Sequence, residues 1–203
     1  MARTPRAPSR LVLVLLLSAL TLTTAAPTPT PNTAPNTAPP QSSCLGPNLL
    51  QNPSFDSPHL SPWLPLAVSA WSPSRGILLS PRAAHSGSGV YYAHCLSTIP
   101  ASLALSQAGV AVQAGREVEC FAWVRGRRGD GGVTAVEVFL DGVSCGRGEV
   151  RGGEEGWARV GGRVRVEGEG EGEGRTVGVV VASEGAGDGG WEVWVDDVGV
   201  VGC

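Results

Sequence analysis

The sequence predicts an all-β protein, an antiparallel β-sandwich of the jelly-roll kind, and three observations predict it. Short runs rich in valine and aromatic residues, several with apolar–polar alternation, recur from Cys44 onward. Helix signals are scarce over the same stretch, and glycine clusters separate the runs, as turns between strands require. About 160 residues are adequate for one buried core between two sheets.

The chain opens with Arg3, Arg6 and Arg10, then LVLVLLLSAL from Leu11 to Leu20, then TLTTAAP. A basic start, a short apolar run and small residues before a cut after Ala25 make residues 1–25 a secretory signal. The apolar run is shorter than the roughly 20 residues that span a bilayer, and no later stretch qualifies. The sequence therefore predicts a secreted, extracellular protein with no membrane span. Residues 26–43, APTPTPNTAPNTAPPQSS, are a Pro/Thr-rich linker or O-glycosylated stalk that cannot bury enough apolar surface to offset its ordering entropy. Residues 44–203 are the folded domain. Its expected strands are Leu49–Gln51, Val90–Cys95, Ser102–Leu105, Glu117–Arg125, Val133–Asp141, Trp157–Val166, Thr176–Ala182 and Trp191–Val201. EGEGEGEG, residues 167–174, is a solvated hairpin loop, and Arg128-Gly129-Asp130 is a coincidence of an Arg- and Gly-rich chain.

Charge excludes one class of partner. The chain has 15 arginines and no lysine against 18 acids, and removing the three leader arginines makes the domain more acidic still. A nucleic-acid binder carries a basic stripe, and none is present. Five cysteines without a CxxC pair point to disulfides, not zinc. Cys44 and Cys203 stand at the two edges of the domain and are expected to pair, contributing about 4–5 kcal/mol through chain entropy. Cys120 with Cys145 is a second expected pair, leaving Cys95 as the odd thiol.

Alternation assigns faces. In Val118–Arg125, Val118, Cys120, Ala122 and Val124 form a small apolar set that faces the core. Glu119, Phe121, Trp123 and Arg125 form the other set, rings mixed with charges. In Ala135–Asp141, Val136, Val138 and Leu140 face inward, while Glu137 and Phe139 face outward. Phe121, Trp123 and Phe139 on one outer face, with Glu119, Glu137 and Arg125, suit carbohydrate. Sugar C–H faces stack on indole and phenyl, and carboxylate and guanidinium bind hydroxyls. The alternative is that these rings pack under a loop or against a second core layer. Trp63 is assigned to the core, and Trp71, Tyr91 and Tyr92 are candidates to line a loop-side site.

Several stretches together resemble one family. NLLQNPSFD (Asn48–Asp56), HSGSGVYYA (His85–Ala93), LSQAGVAVQAGREVECFAWVRG (Leu105–Gly126), VEVFLDG (Val136–Gly142), GWARVGGRVRV (Gly156–Val166) and WVDDVGV (Trp194–Val200) follow one another as in CenC-type carbohydrate-binding modules. These are families 4 and 9, galactose-binding-domain-like jelly rolls. The resemblance implies a non-catalytic module that binds a polysaccharide or cell-wall glycan. An interaction protein that has kept the fold and lost sugar binding is the second reading. A small glycoside-active enzyme is the third: no carboxylate pair, histidine spacing or GxSxG motif marks an active site.

The last strand contains Asp196 and Asp197 side by side. Asp196 shares parity with Val198 and Val200, so an unbroken strand sends it into the core, where a carboxylate needs a cation or several donors. The resemblance implies one structural Ca²⁺ held by Asp196 and Asp56 with loop carbonyls near the SGSG turn. Satisfaction of Asp196 by backbone N–H groups without a metal is the alternative. Asp197 is expected outside, with no special role.

Overall fold

The computed structural model describes residues 44–128, 132–151, 156–167, 174–185 and 189–203. The predicted signal and stalk, the RGD tripeptide beyond Arg128 and most of EGEGEGEG lie outside the described residues. Ten strands and no helix are found among them: β1 (Leu64–Val68), β2 (Gly76–Leu79), β3 (Gly89–Cys95), β4 (Ala101–Val110), β5 (Glu117–Arg128), β6 (Val133–Leu140), β7 (Val143–Arg151), β8 (Ala158–Arg165), β9 (Arg175–Ser183) and β10 (Trp191–Gly202). They form two five-stranded sheets, β1-β4-β9-β6-β7 and β2-β3-β10-β5-β8. Every pairing is antiparallel. The expected all-β sandwich is what the chain forms.

Alternation places the core as the sequence requires. Val118, Cys120, Ala122 and Val124 of β5 meet Val136, Val138 and Leu140 of β6 and Val177, Val179 and Val181 of β9 in one cluster between the sheets. Trp63 is buried there, with its ring 5.4 Å from that of Phe55 and its indole N–H donating to the Asn52 carbonyl at 3.0 Å. Trp71 and Tyr91 are also buried, Trp71 edge-on to Trp191 at 4.9 Å, so of the three rings considered for a loop-side site only Tyr92 lies outside the core.

Two expectations about strands fail for identifiable reasons. Leu49–Gln51 is not a strand; only Asn48 bridges Val201. The Asn48 side chain instead bonds along the backbone of β10, donating to the Val198 carbonyl at 2.9 Å and accepting from Val200 N–H at 3.1 Å. Asn52 and Phe55 then adopt positive φ (46° and 52°), which ends any extended run. Conversely, the sequence does not announce β1, β2 and β7, and all three lie at sheet edges. An edge strand tolerates proline and charge and needs little apolar alternation, which is how LPLAV and VSCGRGEVR form strands.

Cys44 and Cys203 are bonded, with Cα atoms 4.3 Å apart and a sequence separation of 159. The bond ties the entry of the domain to the end of β10, where Leu49 N–H also donates to the Val200 carbonyl at 2.9 Å. Cys120 and Cys145 are free thiols here, against the expected second bond; Cys95, the expected odd thiol, is free, and it is buried.

Candidate functional site

The expected binding face divides between the two sheets. β5 belongs to one sheet and β6 to the other, because the chain crosses the sandwich between them. Glu119, Phe121, Trp123 and Arg125 therefore lie on one outer face, and Glu137 and Phe139 on the opposite one. Phe139 is there flanked by Gly178 and Ser144 in register, and Glu137 by Val180 and Arg147. Alternation reports which residues share a face of one strand, and cannot report which strands share a sheet.

What joins the β5 side chains instead comes from β3, β8, β10 and two loops. Register sets Trp194 beside Arg125 and Tyr92, and Trp123 between Asp196 and Arg159. The Arg125 guanidinium lies over two rings, 4.5 Å from the centroid of Trp194 and 5.1 Å from that of Trp157. Tyr92 packs on the far side of Trp194 at 5.4 Å. His85 stacks on Trp123 with centroids 4.0 Å apart and planes at 17°, and meets Trp157 edge-on at 5.4 Å. The result is a continuous surface of four rings, one imidazole and one guanidinium. Burial lowers the Arg125 pKa, and the neighbouring charge of Arg127 adds to this. The two Arg125 contacts have cation–π geometry, worth about 0.5–2 kcal/mol each.

Charged groups rim this surface. Glu192 binds Arg127 and accepts a hydrogen bond from the Tyr92 hydroxyl at 2.7 Å. Burial, and then that bond, push the Tyr92 phenol up to about 12, so it remains a donor. Farther along β5, Glu119 pairs with Arg159 at 2.9 Å, and the Arg159 guanidinium lies 4.0 Å over Phe121. Phe121 is held from the other side by β10: a Cβ at Gly199 would meet its ring at 2.3 Å. Phe121 is thus flanked by Arg159 and Gly199, and both it and Trp157 remain half-exposed.

The aspartate pair controls the loop that supplies His85. The β5–β10 register shifts between Asp196 and Gly199, where three β10 steps oppose two on β5. Asp196 pairs with Trp123 before this bulge, so it shares the outer face; the expected inward orientation is corrected by the one extra residue. It is nonetheless fully buried, because the turn at His85 and Ser86 covers it. Its carboxylate accepts backbone N–H groups from His85 at 2.7 Å, Ser86 at 3.3 Å and Asp197 at 2.7 Å. Burial raises its pKa to about 6 despite these donors. Asp197, in the bulge at φ 42°, accepts from Ser54 Oγ at 2.6 Å and Ser86 Oγ at 2.8 Å, and bonds His85 Nδ1 at 2.6 Å. Burial pushes its carboxyl up, but these three side-chain bonds outweigh it and the pKa is lowered. A residue expected to have no special role is therefore the anchor of His85.

Asp56, the other acid implied for calcium, is exposed and accepts Ser88 N–H at 2.6 Å and Gly89 N–H at 2.9 Å on one oxygen. The 85–89 turn thus presents N–H hydrogens to both acids, where a calcium site needs oxygen donors. Among the described residues no three of His, Cys, Asp and Glu gather in a metal-binding group. The donor set does not fit Ca²⁺; it fits two carboxylates capping one turn.

Sequence reasoning misses His85, Trp157 and Trp194 as members of this surface. A cleft of about 380 Å³ elsewhere, lined by Leu140, Asp141, Val143, Val164, Arg165 and Arg175 among others, contains no ring.

No protein-family model matches the chain, and no curated protein sequence matches it. Solved structures do share its fold. A family 61 carbohydrate-binding module, TmCBM61 in complex with β-1,4-galactotriose, is similar at TM-score 0.54 and 23% identity, over 77% of this chain and 99% of that one. A tandem of two family 22 modules from Paenibacillus barcinonensis Xyn10C gives 0.50 at 13% identity, over 79% of this chain and 47% of that one. An arabinose-bound α-L-arabinofuranosidase, MgGH51, gives 0.56 at 15% identity, over 76% of this chain and 26% of that one.

Proposed function

We propose that the domain is a secreted, non-catalytic carbohydrate-binding module of the CenC type, families 4 and 9. It takes a polysaccharide or cell-wall glycan on the outer face of the β2-β3-β10-β5-β8 sheet. One observation carries the reading: Tyr92, Trp123, Trp157, Trp194 and Phe121 all lie on this face or its rim, interleaved with Arg125, Arg127, Arg159, Glu119 and Glu192. The galactotriose complex of a module with the same fold supports it. The half-exposed Trp157 ring stacks on a pyranose face, and Arg125, His85 and Glu192 meet its hydroxyls. Phe139 and Glu137, on the other sheet, take no part.

Retention on insoluble polysaccharides and a glycan array, compared with Trp157→Ala, tests the proposal. Loss of one stacking ring is expected to weaken binding about tenfold, equivalent to roughly 1.4 kcal/mol. Retention of no glycan overturns the proposal, undiminished binding by Trp157→Ala overturns the site, and release of sugar overturns the non-catalytic reading.

The second reading is an extracellular interaction protein that has kept the fold and lost sugar binding. It is favoured by the rings having partners already: Arg125 covers Trp194, and His85 covers Trp123. It predicts a stable domain that binds no glycan.

A further inference from the structure

Two of the three free thiols are neighbours. Cys120 on β5 and Cys145 on β7 are buried and belong to different sheets, and Gly162, in register with Cys120, lies against the Cys145 backbone. Packed sheets ordinarily lie about 10 Å apart, while a disulfide needs Cα atoms within about 4.4–6.8 Å. Facing cysteines can therefore bond only where the sandwich closes up. The sequence produces that closure with glycine. Gly162 is the β8 partner of Cys120. A Cβ at Gly162 would meet the Cys145 carbonyl oxygen at 2.7 Å, and one at Gly146 would meet the Gly161 carbonyl at 2.7 Å. β7 thus rests backbone to backbone on β8 directly beside both thiols. Cys95 does not compete: it lies on β3, its Sγ 3.5 Å from the Ala70 carbonyl oxygen.

We propose that Cys120 and Cys145 are a latent inter-sheet disulfide, closed by thiol–disulfide exchange with a disulfide-bearing oxidant. One cysteine attacks the oxidant as thiolate, forming a mixed disulfide and releasing the oxidant's first thiol. The other then attacks the mixed disulfide, forming the Cys120–Cys145 bond and releasing the second thiol. Two protons and two electrons pass from the protein to the oxidant. β7 and β8 are both edge strands, so this flank can open to the oxidant while the central strands stay paired. The neighbouring Cys145 side chain and burial raise the Cys120 pKa in the closed flank, so exchange belongs to the open flank or to folding.

The test uses the full chain, made through an oxidising secretory route, blocked with maleimide, denatured and digested without reductant. Mass spectrometry is expected to find the Cys120 and Cys145 peptides joined, lighter by two hydrogens than the separate thiol peptides, with Cys95 alkylated only after denaturation. Alkylation of both Cys120 and Cys145, persisting after folding in oxidised glutathione, overturns the proposal. A Cys44→Ser/Cys203→Ser double variant isolates the second bond. Reductant is expected to lower its Tm by about 10 °C, from the entropy of a loop of this length. No change in Tm overturns the proposal as well.

Discussion

Replacing Asp196 with asparagine isolates the energetic role of the aspartate pair. In the folded protein Asp196 is fully buried, and its pKa rises from 3.8 to about 6. Between these values the native state holds a proton that the unfolded chain has lost. The stabilisation is fully present below pH 4 and is lost as pH rises through 6. A rise of this size corresponds to about 3 kcal/mol. The Asp197 pKa is lowered, so its contribution is lost at more acidic pH and leaves this window clear. The carboxamide of Asp196→Asn has no such proton. It also sets an NH₂ against one of the three N–H donors, costing about 1–3 kcal/mol at every pH. Urea unfolding followed by tryptophan fluorescence at pH 4, 5, 6 and 7 gives both stabilities. Wild type minus Asp196→Asn is expected to fall by about 2.4 kcal/mol from pH 4 to pH 7, the rest of the change lying below pH 4. A difference that stays constant, or rises with pH, refutes the argument that burial without a compensating cation governs this carboxylate.

Two other perturbations follow. Excess chelator is expected to leave the Tm unchanged, because N–H groups of residues 85, 86, 88 and 89 satisfy Asp196 and Asp56. A fall of several degrees that added Ca²⁺ reverses would establish the cation. Gly199→Ala drives a methyl into the Phe121 ring, where a Cβ has only 2.3 Å. With Arg159 on the opposite face the ring cannot retreat freely, and a loss of about 1–3 kcal/mol is expected in urea unfolding.

Legibility differs between the core and the surface. Inward residues of β5 and β6 are legible because burial on one face imposes a period of two, which the sequence carries without interruption. The strands β1, β2 and β7 are not legible, because edge positions relax that requirement and admit the proline of LPLAV and the glycines of VSCGRGEVR. The aromatic character of Phe121 and Trp123 is legible, but their neighbours are not. Pairing Trp194 with Arg125 depends on the β5–β10 register, and placing His85 on Trp123 depends on a loop far away in sequence. Phe139 is misplaced for the same reason, since sheet membership is a property of the crossover and not of the strand.

The aspartate pair joins the core and the surface. Without the bulge, Asp196 and Asp197 would alternate between core and solvent, and only one would have a use. The extra residue keeps Asp196 on the outer face and turns Asp197 through a positive φ, so that both reach the 85–86 turn. Asp196 takes the N–H groups of that turn, and Asp197 takes its side chains. The imidazole of His85 is thereby fixed parallel to Trp123, with its Nδ1 occupied by Asp197 and its edge toward Trp157. A buried acid that costs stability near neutral pH is retained at the one point where it positions the aromatic surface. With the positive φ of Asp197, this arrangement assigns the two acids to mounting the aromatic surface that is proposed to bind glycan.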